Sequence, residues 1–139
     1  MTQRSAVVAV LAACLAALTA CGSSSSGPPK TLSLSGEQVP VSEVTGAYSQ
    51  MCGIAKQAQS DPAGTVTAFA SAETGLNVLA TVLNKSHADD SRRLLAALTS
   101  FTSDIGKKPP PSSTAADATN VVETAKQGLQ ALNITPPAC

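Results

Sequence analysis

Apolar residues are distributed along this chain in two ways: one unbroken block, Val7 to Leu18, and a series of periodic stripes beyond residue 40. In the first stripe Val44, Ala47, Tyr48, Met51, Ile54, Ala55 and Ala58 recur at spacings of three and four. That spacing puts them on one face of a helix and predicts one from about Glu43 to Ser60, with Ser42 placed to cap its start. Asp61-Pro62 follows, a favourable N-cap and a favourable first helical residue. A second helix is therefore expected to about Lys85, with Val66, Phe69, Leu76, Leu79, Ala80 and Leu83 inward and Val78 and Val82 widening the apolar arc. Gly64 and Gly75 each cost it about 1 kcal/mol of helix propensity. Gly75 either lets a neighbouring helix come close or marks a bend.

Ser86-His87-Ala88-Asp89 has capping-box spacing and predicts a third helix to about Ile105, with Leu94, Leu95, Leu98, Phe101 and Ile105 facing in. Gly106 is expected to adopt a left-handed cap, and Pro109-Pro110-Pro111 forbid continuation. Thr114 and Asp117 form a second capping-box pattern before a fourth helix carrying Ala118, Val121, Val122, Ala125, Leu129 and Leu132. Pro136-Pro137 close it. Strand signals are poor, because no long stretch alternates polar with apolar. The expected fold is all-α: a small antiparallel four-helix bundle with an aliphatic, alanine-rich core.

The block Val7–Leu18 is too short to cross a hydrocarbon core of roughly 30 Å, which takes about 20 helical residues. It has the length of a signal-peptide core, preceded by Arg4 and followed by a small-residue processing site. That site ends on cysteine. Leu18-Thr19-Ala20-Cys21 resembles the lipobox of bacterial lipoproteins: an aliphatic residue, two small residues, then the cysteine that receives diacylglycerol. The resemblance covers residues 1–21. It implies removal of residues 1–20 by signal peptidase II, lipidation of Cys21, and acylation of the new amino end by a fatty acid such as palmitate. It further implies anchoring at the outer face of the bacterial cytoplasmic membrane, where two or three acyl chains hold a protein that one would not. Cys14 is lost with the signal peptide.

Gly22-Ser23-Ser24-Ser25-Ser26-Gly27-Pro28-Pro29 offers almost nothing to bury, so residues 21–39 read as the lipidated cysteine and a flexible tether. Residues 40–139 then form the helical domain. Cys52 and Cys139 are the remaining cysteines, and export would place them where disulfides persist. Cys52 lies on the first helix about 14 Å from its start. The first and fourth helices of an up-down bundle are neighbours, and the tail from Asn133 can fold back to reach it. Pairing would close a loop of roughly 90 residues and stabilise the fold by about 4 to 5 kcal/mol through chain entropy.

Nine Lys and Arg balance nine Asp and Glu over the chain. Without a basic stripe nucleic-acid binding has no footprint. Arg92-Arg93 and Lys107-Lys108 are isolated pairs on helix or turn surface. His87 is the sole histidine, with Asp89 and Asp90 as its only local metal-ligand companions. No CxxCH, Gly-x-Ser-x-Gly or phosphate-binding glycine loop occurs. The carboxylates Glu43, Glu73, Asp104 and Glu123 are scattered. Glu73, beside an inward face, is the best candidate for a perturbed group, and Glu123 is the partner it would need across the core. Asn84-Lys85-Ser86 and Asn133-Ile134-Thr135 match the glycosylation sequon, in a poor context for that modification. No catalytic residue, metal ligand or cofactor is assigned. The favoured function is a non-enzymatic binding or interaction module of the cell envelope, meeting an envelope protein or a cell-wall component. The alternatives are a carrier holding a hydrophobic ligand between its helices and, least supported, a hydrolase or metal-dependent enzyme.

Overall fold

The computed structural model describes residues 27–139. A short antiparallel hairpin, β1 (Thr31–Leu34) and β2 (Glu37–Pro40), leads into four helices: α1 (Val41–Ala58), α2 (Thr65–Leu83), α3 (Ala88–Ile105) and α4 (Thr114–Ala131). The helices form the expected bundle. α1 packs most extensively on α2 and α3 on α4, while α1 with α4 and α2 with α3 close the ring. The core stacks Val44, Met51, Leu76, Leu79, Leu83, Leu94, Phe101, Val121 and Leu129, all fully buried. Phe69 and Phe101 meet edge to face with centroids 5.0 Å apart, a geometry that adds about 0.5–1.5 kcal/mol to area burial.

The tether expected to run to residue 39 gives way to structure earlier. Residues 31–40 pair Thr31 with Pro40, Leu32 with Val39, Ser33 with Gln38 and Leu34 with Glu37. The turn works because both central residues take positive φ, Ser35 at 48° and Gly36 at 93°, as a primed hairpin turn requires. Leu32 and Val39 point from the hairpin into buried positions. The Val41 N–H donates to the Lys30 carbonyl at 3.0 Å, and Lys85 Nζ donates to the Ser33 carbonyl at 3.0 Å. The strands are four residues each, too short for alternation to stand out.

Helix starts differ from expectation in a consistent way. Pro40, extended at ψ 136°, is the N-cap of α1, so Ser42 lies inside the helix and caps nothing. Asp61 does accept a backbone N–H, that of Gly64 at 3.0 Å, but it closes a turn ahead of α2, which begins at Thr65. Ser86 supplies no side-chain cap to α3, and Thr114, expected to cap α4, is instead its first residue. Gly106 ends α3 at φ −76°, right-handed rather than left-handed. Of the residues expected inward, Val66 and Leu95 are instead 46 % and 44 % exposed, because each lies at the edge of its helix's apolar arc.

Gly75 permits close approach rather than a bend. A Cβ there would sit 2.5 Å from Ala47 Cβ and 3.2 Å from the Glu43 carbonyl oxygen. α1 and α2 therefore touch nearly backbone to backbone. This explains how a core of alanines and medium-sized aliphatics excludes water: small residues draw the helices in until the few large side chains fill what remains.

Candidate functional site

The end of α4 is built to turn the chain back. Asn133 takes φ 57°. The Ile134 N–H donates to the Leu129 carbonyl at 2.9 Å and the Asn133 N–H to the Gln130 carbonyl at 2.9 Å. This is the paired bonding of a Schellman cap, with Ile134 and Leu129 as its buried apolar contact. The tail then runs to α1, where Cys139 forms the expected disulfide with Cys52, Cα atoms 5.4 Å apart. The Tyr48 hydroxyl donates to Cys139 Sγ at 3.3 Å. Lys56 Nζ donates to the Cys139 carbonyl at 2.9 Å. Burial, and next the charge of Glu123, push the Tyr48 phenol above its ordinary value. Tyr48, Val122, Glu123, Lys126 and Gln130 form one wall of a groove of about 420 Å³, and the tail Pro136–Cys139 forms the other.

A second polar cluster joins the end of α3 to the start of α4. Asp104 is buried. It accepts from Lys107 Nζ at 2.7 Å and from the Ser113 hydroxyl. These two bonds, Lys107 first, hold its carboxyl below the usual carboxylate range, and a bond from Asp117 adds to them. Asp117 moves the other way: burial, then the adjoining Asp104, push it up. Asp117 thus keeps its proton to higher pH beside Asp104. The sequence pattern assigned Asp117 to a capping box with Thr114, but the Thr114 hydroxyl donates to the Pro111 carbonyl at 2.7 Å instead.

A third feature lies between α2 and α3. Glu73, Asn77, Leu95, Leu98, Thr99, Thr102 and Ser103 line a groove of about 430 Å³. Asn77 and Leu95 also line an adjoining depression of about 250 Å³ with Ala80, Thr81, Asn84 and Ser91. Glu73 therefore belongs to this groove and Glu123 to the one beside Tyr48; the bundle does not bring them together. Asp89 and Asp90 pair with Arg92 and Arg93 on the same helix. Among the described residues no group of three His, Cys, Asp or Glu side chains is placed to hold a metal ion. Cys21 and the rest of the lipobox lie outside the described residues.

No protein-family model, curated protein or solved structure matches the chain. The geometry offers three polar features on the outside of a filled bundle. One is a disulfide-walled groove, one a pair of adjoining carboxyls, and one an open groove with a single carboxylate.

Proposed function

We propose that the protein is a lipid-anchored, extracytoplasmic binding module that presents a helical bundle to a partner in the cell envelope. The observation that carries this reading is Leu18-Thr19-Ala20-Cys21 directly behind the apolar block Val7–Leu18. Anchoring confines the domain near a surface and raises its effective concentration toward membrane-associated partners. The Cys52–Cys139 disulfide supports an oxidising location. The grooves on the outside of the bundle support recognition at its surface over a ligand held between helices, since the apolar faces fill the core with their own side chains.

Metabolic labelling with an alkyne-bearing palmitate tests the anchor in a bacterial host. Wild-type chain should take up label and partition into the detergent phase on cloud-point extraction; Cys21→Ala should do neither. An unlabelled wild-type chain that stays in the aqueous phase would overturn the reading. Native mass spectrometry of protein drawn from that membrane would favour the carrier alternative if it retained an apolar ligand.

A further inference from the structure

The α2 side of the outer α2–α3 face is depleted of charge. In α2 the only charged residue is Glu73. Val66, Ala70, Glu73, Asn77 and Thr81 follow one another at helical spacing along one stripe. Leu95, Thr99 and Thr102 form the facing stripe of α3, with Arg92, paired to Asp89, at its start. The two large hydrophobic side chains left exposed among the described residues, Val66 and Leu95, both lie on this pair of helices. Depletion of charge with apolar exposure is the composition of an interface core rather than of ordinary solvated surface.

The groove within that face has a definite polarity. The Thr99 hydroxyl donates to the Leu95 carbonyl at 2.8 Å, and the Thr81 hydroxyl donates to the Asn77 carbonyl at 2.8 Å. Those two protons are committed to their own helices, leaving the Thr99 oxygen in the groove and the Thr81 oxygen in the adjoining depression as acceptors. Glu73 adds a half-buried carboxylate. The ion pairs of the described residues fall on Asp89, Asp90 and Asp104, and none of them engages Glu73. The result is a polar slot whose lining carries one negative charge and no cation, bordered by the apolar side chains of Leu95 and Leu98.

Such a slot selects its occupant by charge and shape. A lysine or arginine side chain has an apolar stem to lie along leucine and a cationic head that only donates. An anion is repelled by Glu73. A neutral glycan finds no aromatic platform in this lining. We propose that the α2–α3 groove is a docking site for a basic segment of a partner protein, with a Lys or Arg side chain lying on Leu95 and Leu98 and its head on Glu73. This rests on the reading of the protein as a binding module, but not on its anchor.

The test is a fluorescence-anisotropy titration of full-length protein in neutral detergent micelles with three labelled probes of equal length: oligolysine, oligoglutamate and an N-acetylglucosamine oligomer. Saturable binding of oligolysine alone is expected. Glu73→Gln should weaken it at least about tenfold, the scale of a lost hydrogen bond to a charged group. Leu95→Ser should also weaken it, added salt should weaken it, and Glu123→Gln in the other groove should leave it unchanged. Melting curves would show that the variants remain folded. Oligolysine binding that survives Glu73→Gln, or is lost with Glu123→Gln, overturns the assignment, as does saturable binding of the glycan or the oligoglutamate in its place. Palmitate labelling is read separately, so failure of the groove and failure of the anchor are distinct results.

Discussion

Individual residues in this bundle differ in what they tolerate, and the glycines show it most directly. Gly53 and Gly75 both lie inside helices. A Cβ on Gly53 meets nothing within 4 Å, whereas one on Gly75 meets Ala47 and the Glu43 backbone. Gly53→Ala should therefore stabilise the fold by about 0.5–1 kcal/mol through helix propensity. Gly75→Ala gains the same propensity but must push two helices apart, and overpacking of that kind costs about 1–3 kcal/mol. Chemical denaturation of the two variants should give shifts of opposite sign. The carboxyl pair makes a second residue-scale prediction. Asp117 has a raised native value, so its contribution is present below the ordinary Asp range and is lost as pH rises through that native value. Asp104 has a lowered value, so its contribution is present above the ordinary range and is lost as pH falls through the native one. Asp117→Asn removes the first and keeps an N–H donor toward Asp104. Its melting temperature should exceed that of the wild type at pH 7 and approach it near pH 3. A variant less stable than the wild type at pH 7 would show that the charged form of Asp117 is favoured by the fold.

At the scale of elements, the helices were legible in the sequence and their boundaries less so. Val44, Met51, Leu76, Phe101 and Leu129 fall inward because a 3.6-residue period leaves little freedom once one face must be dry. Val66 and Leu95 escape that rule: the arc's edge is decided by how close the neighbour comes, which depends on small residues such as Gly75 and Ala47 facing each other across elements. The capping boxes failed for a related reason. In one, Asp117 adjoins Asp104 and the Thr114 hydroxyl donates to the Pro111 carbonyl; in the other, Asp89 pairs with Arg92. The hairpin was hidden by its brevity, although Ser35-Gly36 between Leu32 and Val39 was the turn signal available. The Glu73 groove was legible only as one carboxylate near an inward face; its leucine border and its row of hydroxyls required the pairing of α2 with α3. Leu32 gives the hairpin an energetic test. It is buried against the bundle, so Leu32→Ala should lower global stability by about 2–5 kcal/mol. A change under about 0.5 kcal/mol by urea titration would mean that residues 31–40 lie on the bundle without contributing to it.

For the whole molecule, the disulfide and the α4 cap hold the tail in different ways, and the difference can be measured. Cys52 and Cys139 are 87 positions apart, so the bond encloses α2, α3 and α4 and ties the last residue described to the middle of α1. A loop of that length restricts the unfolded chain by about 4 to 5 kcal/mol of entropy, comparable with the net stability of many small domains. The native chain, however, is already turned toward α1 by the Schellman cap at Asn133 and anchored by Ile134, which is 4 % exposed. Removing the bond should therefore act mainly on the unfolded state. Cys52→Ala with Cys139→Ala should keep the helical circular dichroism of the wild type at 25 °C and unfold at a lower urea midpoint, with a loss of about 3–5 kcal/mol. Tyr48 reports locally, as the only tyrosine in a chain without tryptophan. Its hydroxyl loses the sulfur acceptor, so its emission should change in the folded double variant while the helical signal does not. Ile134→Ala acts on the native side instead, with a cost of about 2–5 kcal/mol for the emptied site whether or not the disulfide is present. If the two losses are equal and each disappears in the background of the other, the tail is held as one cooperative unit and the separation of covalent closure from packed cap is wrong.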